Sequence, residues 1–285
     1  EQRFYEMSMQ RTIPAGETAS GIVFTNADPG TKTFNVDVYY LDQVAIYEHF
    51  TFYITAPGFT PDYAEIDFAG LYRPDEVQDV DLDGFRALLQ DFPCCTTDES
   101  GARKGRPINV LIVAPGRELL QALLRASWRE SSYERDYNYL KDIDYLFGRP
   151  PDSLFRKFLG RGRERNVIGV WLAPIRVEGV PVWMVQVKHA LGRTFEIGEQ
   201  ILGVRLDPNV DDGRNYLLQD FWYAQSLKSF AWSRSGHDVS ADDPEFDFNG
   251  NPFFSDGFRL VLWLTGDTVS LRDARDLKWD RIRSN

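Results

Sequence analysis

Short runs in which apolar and polar residues alternate dominate the N-terminal part of the chain. Residues 33–39 and 49–55 place an apolar side chain at every second position, the pattern of a strand with one buried face. Each of these runs has a Pro-Gly pair on one side, and residues 21–25 form a further β-prone run. This spacing of runs and turns predicts a small all-β, sandwich-like domain over residues 1–60.

Residues 61–106 are predicted to connect this domain to the rest of the chain. They contain an acidic stretch, a short helix around residues 82–90 and a polar loop at residues 96–105. Because charged and turn-forming residues cluster in the loop, it is predicted to be the most flexible stretch before the next domain.

Strand and helix patterns alternate from residue 107 to the C-terminus. The predicted elements are a strand at 108–113, a helix at 119–128, strands at 167–175 and 180–188, a helix at 208–230 and a strand at 260–264. This order, βαββαβ, is that of a ferredoxin-like unit. We therefore expect an α+β fold in which residues 107–285 form an antiparallel sheet with helices on one face.

Acidic residues outnumber basic ones by 43 to 32, which gives a net charge of −11. This acidic charge disfavours nonspecific binding to nucleic acid or to an anionic membrane surface, because phosphates would be repelled. No apolar run approaches the roughly 20 residues that cross a bilayer, so no transmembrane segment is predicted in this chain.

The two cysteines, Cys94 and Cys95, are adjacent in the sequence. They could form a vicinal disulfide, remain free thiols or bind a soft metal, but a bridge between neighbours closes almost no loop. A small buried pair in a tight turn is favoured over a redox pair. The three histidines are scattered, so we expect no metal site and no cofactor.

Carboxylates cluster at the start of the helix predicted at 208–230. Asp207 is the predicted N-cap and Pro208 the predicted first helical residue. Asp211 and Asp212 would then lie in the first turn, where negative charge complements the helix dipole. A divalent-cation site formed by Asp207, Asp211 and Asp212 is the alternative, but capping explains these carboxylates without a metal.

Several sequence blocks together resemble the LssY C-terminal domain, a bacterial cell-envelope family. The blocks occur in the family's order, at residues 92–97, 107–113, 146–152, 207–214 and 251–258. The resemblance covers residues 75–270, so residues 1–60 would be an N-terminal β extension. It implies a periplasmic or outer-surface protein, with another envelope protein or the membrane surface as partner.

The resemblance also implies export, with a signal peptide or a lipoprotein-like anchor at the N-terminus. The chain begins at Glu1 rather than Met, so we expect that such a segment has been removed.

The chain departs from the family at several polar positions. Val167 and Gly169 stand where relatives carry His and Arg, and Ala190 ends a triplet that is Ser-Arg-Asp in relatives. Gly203 and Val204 replace a Thr-His pair. If these positions form one site, most of its proton carriers are lost. The residues that remain as a candidate pocket are Arg165, His189, Asp207, Asp211 and Arg214.

We therefore predict a noncatalytic exported envelope protein that acts as a binding or assembly module. The alternative is a hydrolase of an envelope lipid or phosphate ester, since the family domain also occurs beside phosphatase-like membrane domains. Convergence of Arg165, His189, Asp207 and Arg214 on one cleft would favour the enzyme. Dispersal of these residues, together with an exposed apolar surface, would favour a binding protein.

Overall fold

A computed structural model of the chain describes residues 2–9, 12–25, 29–39, 47–132, 143–160, 164–194 and 203–280. The helices of this described part are α1 (Gln2–Met7), α2 (Leu82–Leu88), α3 (Gly116–Arg125) and α4 (Val210–Tyr223), with a short 3-10 helix at Asp62–Glu65. The strands of its first half are β1 (Gly30–Tyr39), β2 (Tyr47–Ala56), β3 (Gln78–Val80), β4 (Cys95–Thr97), β5 (Lys104–Pro107), β6 (Val110–Val113), β7 (Arg129–Ser131) and β8 (Ser153–Phe158).

The remaining strands are β9 (Arg165–Val177), β10 (Val180–Thr194), β11 (Gly203–Leu206), β12 (Leu227–Ser233), β13 (Asp238–Val239), β14 (Glu245–Phe246), β15 (Pro252–Phe253), β16 (Ser255–Asp256), β17 (Arg259–Leu264) and β18 (Arg275–Asp276).

A ten-stranded mixed sheet forms the centre of the protein. Its order is β18-β12-β17-β6-β10-β9-β8-β7, with β11 paired to β10 and β3 paired to β9. β17 runs parallel to β6, whereas β6, β10, β9 and β8 pair antiparallel in succession. Strand β6 is buried on both faces, as its continuous apolar sequence predicts.

The two faces of the sheet carry separate apolar clusters. Val110 and Ile112 of β6 face the cluster that includes helices α3 and α4. Leu111 and Val113 face the other cluster, which includes Phe85 of α2. The two longer helices therefore share one face as predicted, but the short helix α2 covers the opposite face.

The α+β class is confirmed, but the ferredoxin-like arrangement is not. The helix predicted at 208–230 ends at Tyr223, and its last part is strand β12. Because β12 is an additional strand before β17, β17 enters the sheet in the opposite direction and lies parallel to β6. The sheet is consequently mixed and not antiparallel throughout.

The N-terminal region contains one two-stranded sheet among its described residues, so the predicted sandwich is not confirmed. Strands β1 and β2 form this antiparallel hairpin, close to the runs predicted at 33–39 and 49–55. The run at 21–25 makes only an isolated bridge, between Ile22 and Ser8. The division of the chain at residues 60 and 106 stays a prediction.

One face of the β1–β2 hairpin is apolar and exposed. Val36 lies opposite Phe50, and Ile54 follows on the same face of β2, with 42, 46 and 56% of these side chains exposed. The opposite face is polar and meets the main domain, where Thr31 donates hydrogen bonds to Glu130. The hairpin therefore turns its apolar face away from the core.

The polar loop predicted at 96–105 is the hairpin β4–β5. Asp98 organises its turn, because its carboxylate accepts hydrogen bonds from Ser100, Ala102 and Arg103. The hydrogen bond from Arg103 and those from its neighbours lower the pKa of Asp98 to about 2.

Candidate functional site

His189 lies between two carboxylates at the end of the β9–β10 pair. Its Nε2 is 2.8 Å from Glu164 Oε1 and its Nδ1 is 3.4 Å from Asp207 Oδ2. The backbone amide of Asp207 donates to the His189 carbonyl at 2.8 Å. Arg165 follows Glu164 and lies opposite Ala190 in the same ladder. The fold thus brings Arg165, His189 and Asp207 into one region.

Arg214 is buried in a separate network at α4. Its guanidinium donates two hydrogen bonds to Asp256, at 2.7 and 2.9 Å, and one to the Phe258 carbonyl at 2.7 Å. It also stacks over the ring of Trp232, 4.9 Å from the centroid. Only 1% of the Arg214 side chain is exposed. Its hydrogen bonds therefore connect α4 to the segment around β16.

Asp211 belongs to the Arg214 network and not to the His189 region. Its carboxylate accepts from Ser255 Oγ at 3.0 Å and from the Asp256 amide at 2.7 Å, and lies 3.2 Å from Arg214. Burial raises the pKa of Asp211. Burial alone would also raise the pKa of Asp256, but the hydrogen bonds and charge of Arg214 outweigh it and lower that pKa.

The predicted helix cap was wrong by two residues. α4 begins at Val210, and the Asn209 side chain accepts the capping hydrogen bond from the Asp211 amide at 3.2 Å. Asp207 instead accepts from the Asn209 amide at 2.9 Å, which forms a turn before the helix. The chain therefore forms a turn over residues 207–209, and the helix begins directly after it.

The five predicted site residues thus fall into two groups. Arg165, His189 and Asp207 lie together, and Asp211 and Arg214 form the second group. Among the described residues, no hydrogen bond or ion pair joins His189 to Arg214.

A buried polar cluster that the sequence analysis missed lies under the β4–β5 hairpin. Its members are Thr96, Arg106, Asp144, Gln186, Lys188 and Asp247. Lys188 pairs with Asp144, whose other oxygen accepts from Thr96 Oγ1 at 2.7 Å. Gln186 Nε2 in turn donates to Thr96 Oγ1 at 3.0 Å.

Arg106 carries the second positive charge of this cluster. Its Nε lies 3.2 Å from Asp247 Oδ2, and its other nitrogens donate to the carbonyls of Asp207 and Pro252. Each cation of the cluster therefore has a carboxylate partner, as buried charges require. The signal that could have revealed the cluster is the pair of polar residues, Gln186 and Lys188, in an otherwise apolar strand.

Two residues of β9 that the sequence analysis singles out border this cluster. Gly169 lies opposite Gln186, and Val167 lies opposite Lys188, in the β9–β10 ladder. Directly opposite residues project to the same face of a sheet. Val167 and Gly169 therefore face the buried polar cluster.

Cys94 and Cys95 form a vicinal disulfide. The Cys94 carbonyl accepts from the Ile108 amide at 2.8 Å, so the pair sits in a turn beside the sheet. Next to it, the fully buried Arg259 donates to backbone carbonyls, including that of Pro93 at 2.6 Å. Burial without a carboxylate partner lowers the pKa of Arg259 to about 10.

An apolar cavity of about 540 Å³ lies on the α3 face of the sheet. Its apolar walls come from the 3-10 helix region, α3 and strands β8 to β10, and include Phe68, Leu119, Leu120, Leu123, Phe155, Leu172 and Trp183. Tyr53 of the β1–β2 hairpin lines one side. A second cavity of about 350 Å³ shares Phe68 and Leu172 with the first.

The charged residues that line the larger cavity are Arg117 and Arg176. Both are exposed, and neither forms an ion pair or a hydrogen bond through its side chain with any described residue. Tyr63 is also in the wall, and its hydroxyl donates a hydrogen bond to the Glu130 carboxylate. Burial, together with this carboxylate, raises the pKa of Tyr63.

Within the described ranges, no group of three or more His, Cys, Asp or Glu side chains is arranged to hold a metal ion. The helices of the same ranges include none long and apolar enough to cross a membrane.

A family model described as the LssY C-terminus matches residues 143–258. The chain contains an LssY C-terminal domain. This domain includes β8 to β11 and α4, and with them both groups of candidate residues. Neither the curated proteins nor the solved structures include a match to the chain.

The apolar cavity lies between the LssY C-terminal domain and the chain that precedes it. Phe155, Leu172 and Trp183 belong to the domain, whereas Tyr53, the 3-10 helix region and α3 precede residue 143. Residues of the N-terminal region and of the LssY C-terminal domain are therefore both needed to enclose the cavity.

Proposed function

We propose that the protein is a noncatalytic, exported binding module of the bacterial cell envelope, with its ligand in the 540 Å³ cavity. The cavity carries this proposal. Its volume is typical of small-molecule sites, and a predominantly apolar wall with a few polar groups is what such sites have.

The contacts that the buried charged residues make within the protein support a noncatalytic role. Arg214 and Lys188 are buried and bound to carboxylates within the protein. A general acid or base has to reach a substrate, which groups held in this way do not do. The charged residues that line the larger cavity are Arg117 and Arg176, and an arginine does not exchange protons near neutral pH.

Hydrolysis of an envelope lipid or phosphate ester is the second candidate function. The contacts of His189 with Glu164 and Asp207 favour it, because carboxylates orient and activate a histidine. It is the weaker candidate, since both ring nitrogens are already engaged and Arg214 belongs to another network.

Export and a location in the periplasm or on the outer surface are part of the proposal. The family resemblance supports them, and the Cys94–Cys95 disulfide is compatible with an oxidising compartment. The partner of such a module would be another envelope protein or the membrane surface.

Titration with Nile red, a neutral apolar fluorophore, tests the binding role. We expect saturable binding that Ala69→Trp weakens by about tenfold, or about 1.4 kcal/mol, because Ala69 lines both cavities and is exposed. Ala241→Trp is the matched control, since Ala241 is an exposed turn residue outside the cavities.

Two results would contradict the proposal. One is the absence of saturable binding to a folded protein. The other is binding that survives Ala69→Trp but is lost in Phe52→Ser, because the probe would then occupy the exposed face of the β1–β2 hairpin.

A further inference from the structure

We infer that the ligand is an amphipathic anion, with its apolar chain in the cavity and its carboxylate or phosphate bound by Arg117 and Arg176. This inference rests on the proposed binding function and adds the chemical class of the ligand.

The apolar walls of the cavity are suited to the hydrocarbon chain of the ligand. Leu119 and Leu123 of α3 line the cavity together with Phe155 and Leu172 of the sheet. The ring of Trp183 in β10 also lines it and lies close to Gly116 at the start of α3. The Trp183 indole already donates to the Ala114 carbonyl at 2.9 Å, so it offers the ligand an apolar ring. A hydrocarbon chain that packs against these side chains is removed from water, which is favourable. The Ser153 hydroxyl, which also lines the cavity, is buried and has no hydrogen-bond partner among the described residues.

The two arginines select the charged end. Each guanidinium has five N–H donors that fit carboxylate and phosphate oxygens, and in both residues these donors have no partner in the described part of the protein. The residues that line this cavity include no acidic side chain. Asp79 lines the adjoining cavity, and its Oδ1 accepts from the Gly179 amide at 2.9 Å.

The start of helix α3 also lies at the cavity, and its first turn carries Glu118, whose carboxylate accepts from the Gly266 amide at 3.2 Å. α3 begins at Gly116, which lines the cavity, and Pro115 before it supplies no side-chain cap. The free amide groups of a first helical turn attract anions. Gly116 also permits close packing, because a Cβ at this position would lie 3.2 Å from the Trp183 ring.

This local charge is opposite to that of the whole molecule. A net charge of −11 repels anions in general, so an anionic ligand has to be retained by specific contacts. A cationic ligand would be placed beside two arginines whose donors have no partner among the described residues. A neutral ligand would leave the arginine donors unused.

The test compares three probes of equal chain length by isothermal titration calorimetry. Laurate, dodecyl phosphate and the neutral dodecanol are titrated below their aggregation concentrations into the full chain. We expect at least one anion to bind about tenfold or more tightly than dodecanol. We also expect this preference to decrease as salt is added.

The double variant Arg117→Gln/Arg176→Gln should abolish this preference while leaving dodecanol affinity unchanged. Arg272→Gln/Arg275→Gln is the matched control, because these arginines are exposed, lie outside the cavity and remove the same charge. The control should keep the preference for the anion.

The results separate the inference from the proposed function. Equal binding of the anions and dodecanol to the unaltered protein would overturn the inference and leave an apolar binding site. An equal loss of anion binding in the control variant would also overturn it, because general charge would then be responsible. Failure of all three probes, and of Nile red, would reject the binding function itself.

Discussion

Two buried arginines of this protein are stabilised in different ways. Arg214 is neutralised by Asp211 and Asp256. Within the described part of the chain, the guanidinium of Arg259 donates its hydrogen bonds to carbonyl oxygens, among them those of Leu89 and Ile108. A buried charge that loses its partners is costly, so the Arg214 network is expected to contribute to the stability of the fold.

Replacement of Arg214 by methionine should destabilise the protein by about 3 kcal/mol, because two carboxylates lose their buried partner. Arg234→Met is the control, since Arg234 is 65% exposed and pairs with an exposed Asp238. Its loss should cost less than about 1 kcal/mol. Urea unfolding measures both changes, and equal losses would contradict a stabilising role for the buried network.

Asp98 should give the protein an acid-sensitive contribution to stability. Its pKa falls from an ordinary 3.8 to about 2 in the folded protein, so its stabilising effect is complete above the ordinary value and is lost as pH falls through the folded value. Asp98→Asn should lower stability at neutral pH and remove this part of the pH dependence. Unfolding midpoints between about pH 4 and pH 2 test this; parallel curves for both proteins would contradict it.

The residue types of the candidate site could be predicted from the sequence, but their grouping could not. Asp207 and Asp211 are close in sequence, yet one contacts His189 and the other Arg214. The division depends on where the chain turns before α4, and either Asp207 or Asn209 is a suitable cap by residue type.

At the level of single elements, the end of α4 is the least predictable feature. Phe221, Ala224 and Leu227 continue a helical spacing, and no Gly or Pro marks the end of the helix. Gln225 nevertheless has a φ of 57°, a left-handed conformation that ends the helix, and β12 follows two residues later. The alternating burial of β12 is that of a strand, whereas the spacing of its first apolar residues predicts a helix.

Gln225→Gly should therefore stabilise the protein by up to about 1 kcal/mol, because glycine adopts a positive φ without steric cost. Gln219→Gly should have the opposite effect and destabilise by about 1 kcal/mol, since Gln219 is exposed within α4. Thermal unfolding compares the two. Destabilisation of similar size by both would mean that the Gln225 side chain matters more than its backbone conformation.

At the scale of the whole molecule, the sheet is assembled from segments that lie far apart in the sequence. β6 lies between β17 and β10, and neither β6 nor β17 belongs to the matched range 143–258. The α+β class follows from local patterns, which also locate helices α2 to α4 and the strands β1, β2, β6, β9, β10 and β17. The order of strands and the cavity depend on long-range pairing, which periodicity does not encode.

The attachment of the β1–β2 hairpin has a consequence for how the cavity exchanges its contents. Thr31 and Thr51 hold the hairpin to the main domain through hydrogen bonds to Glu130 and Arg125, while Phe52 faces solvent. Water can replace such polar contacts at little cost, whereas separating α3 from the sheet would expose the core. We therefore expect a ligand to enter and leave at the side of the cavity formed by Tyr53, through local displacement of the hairpin while the rest of the protein stays folded.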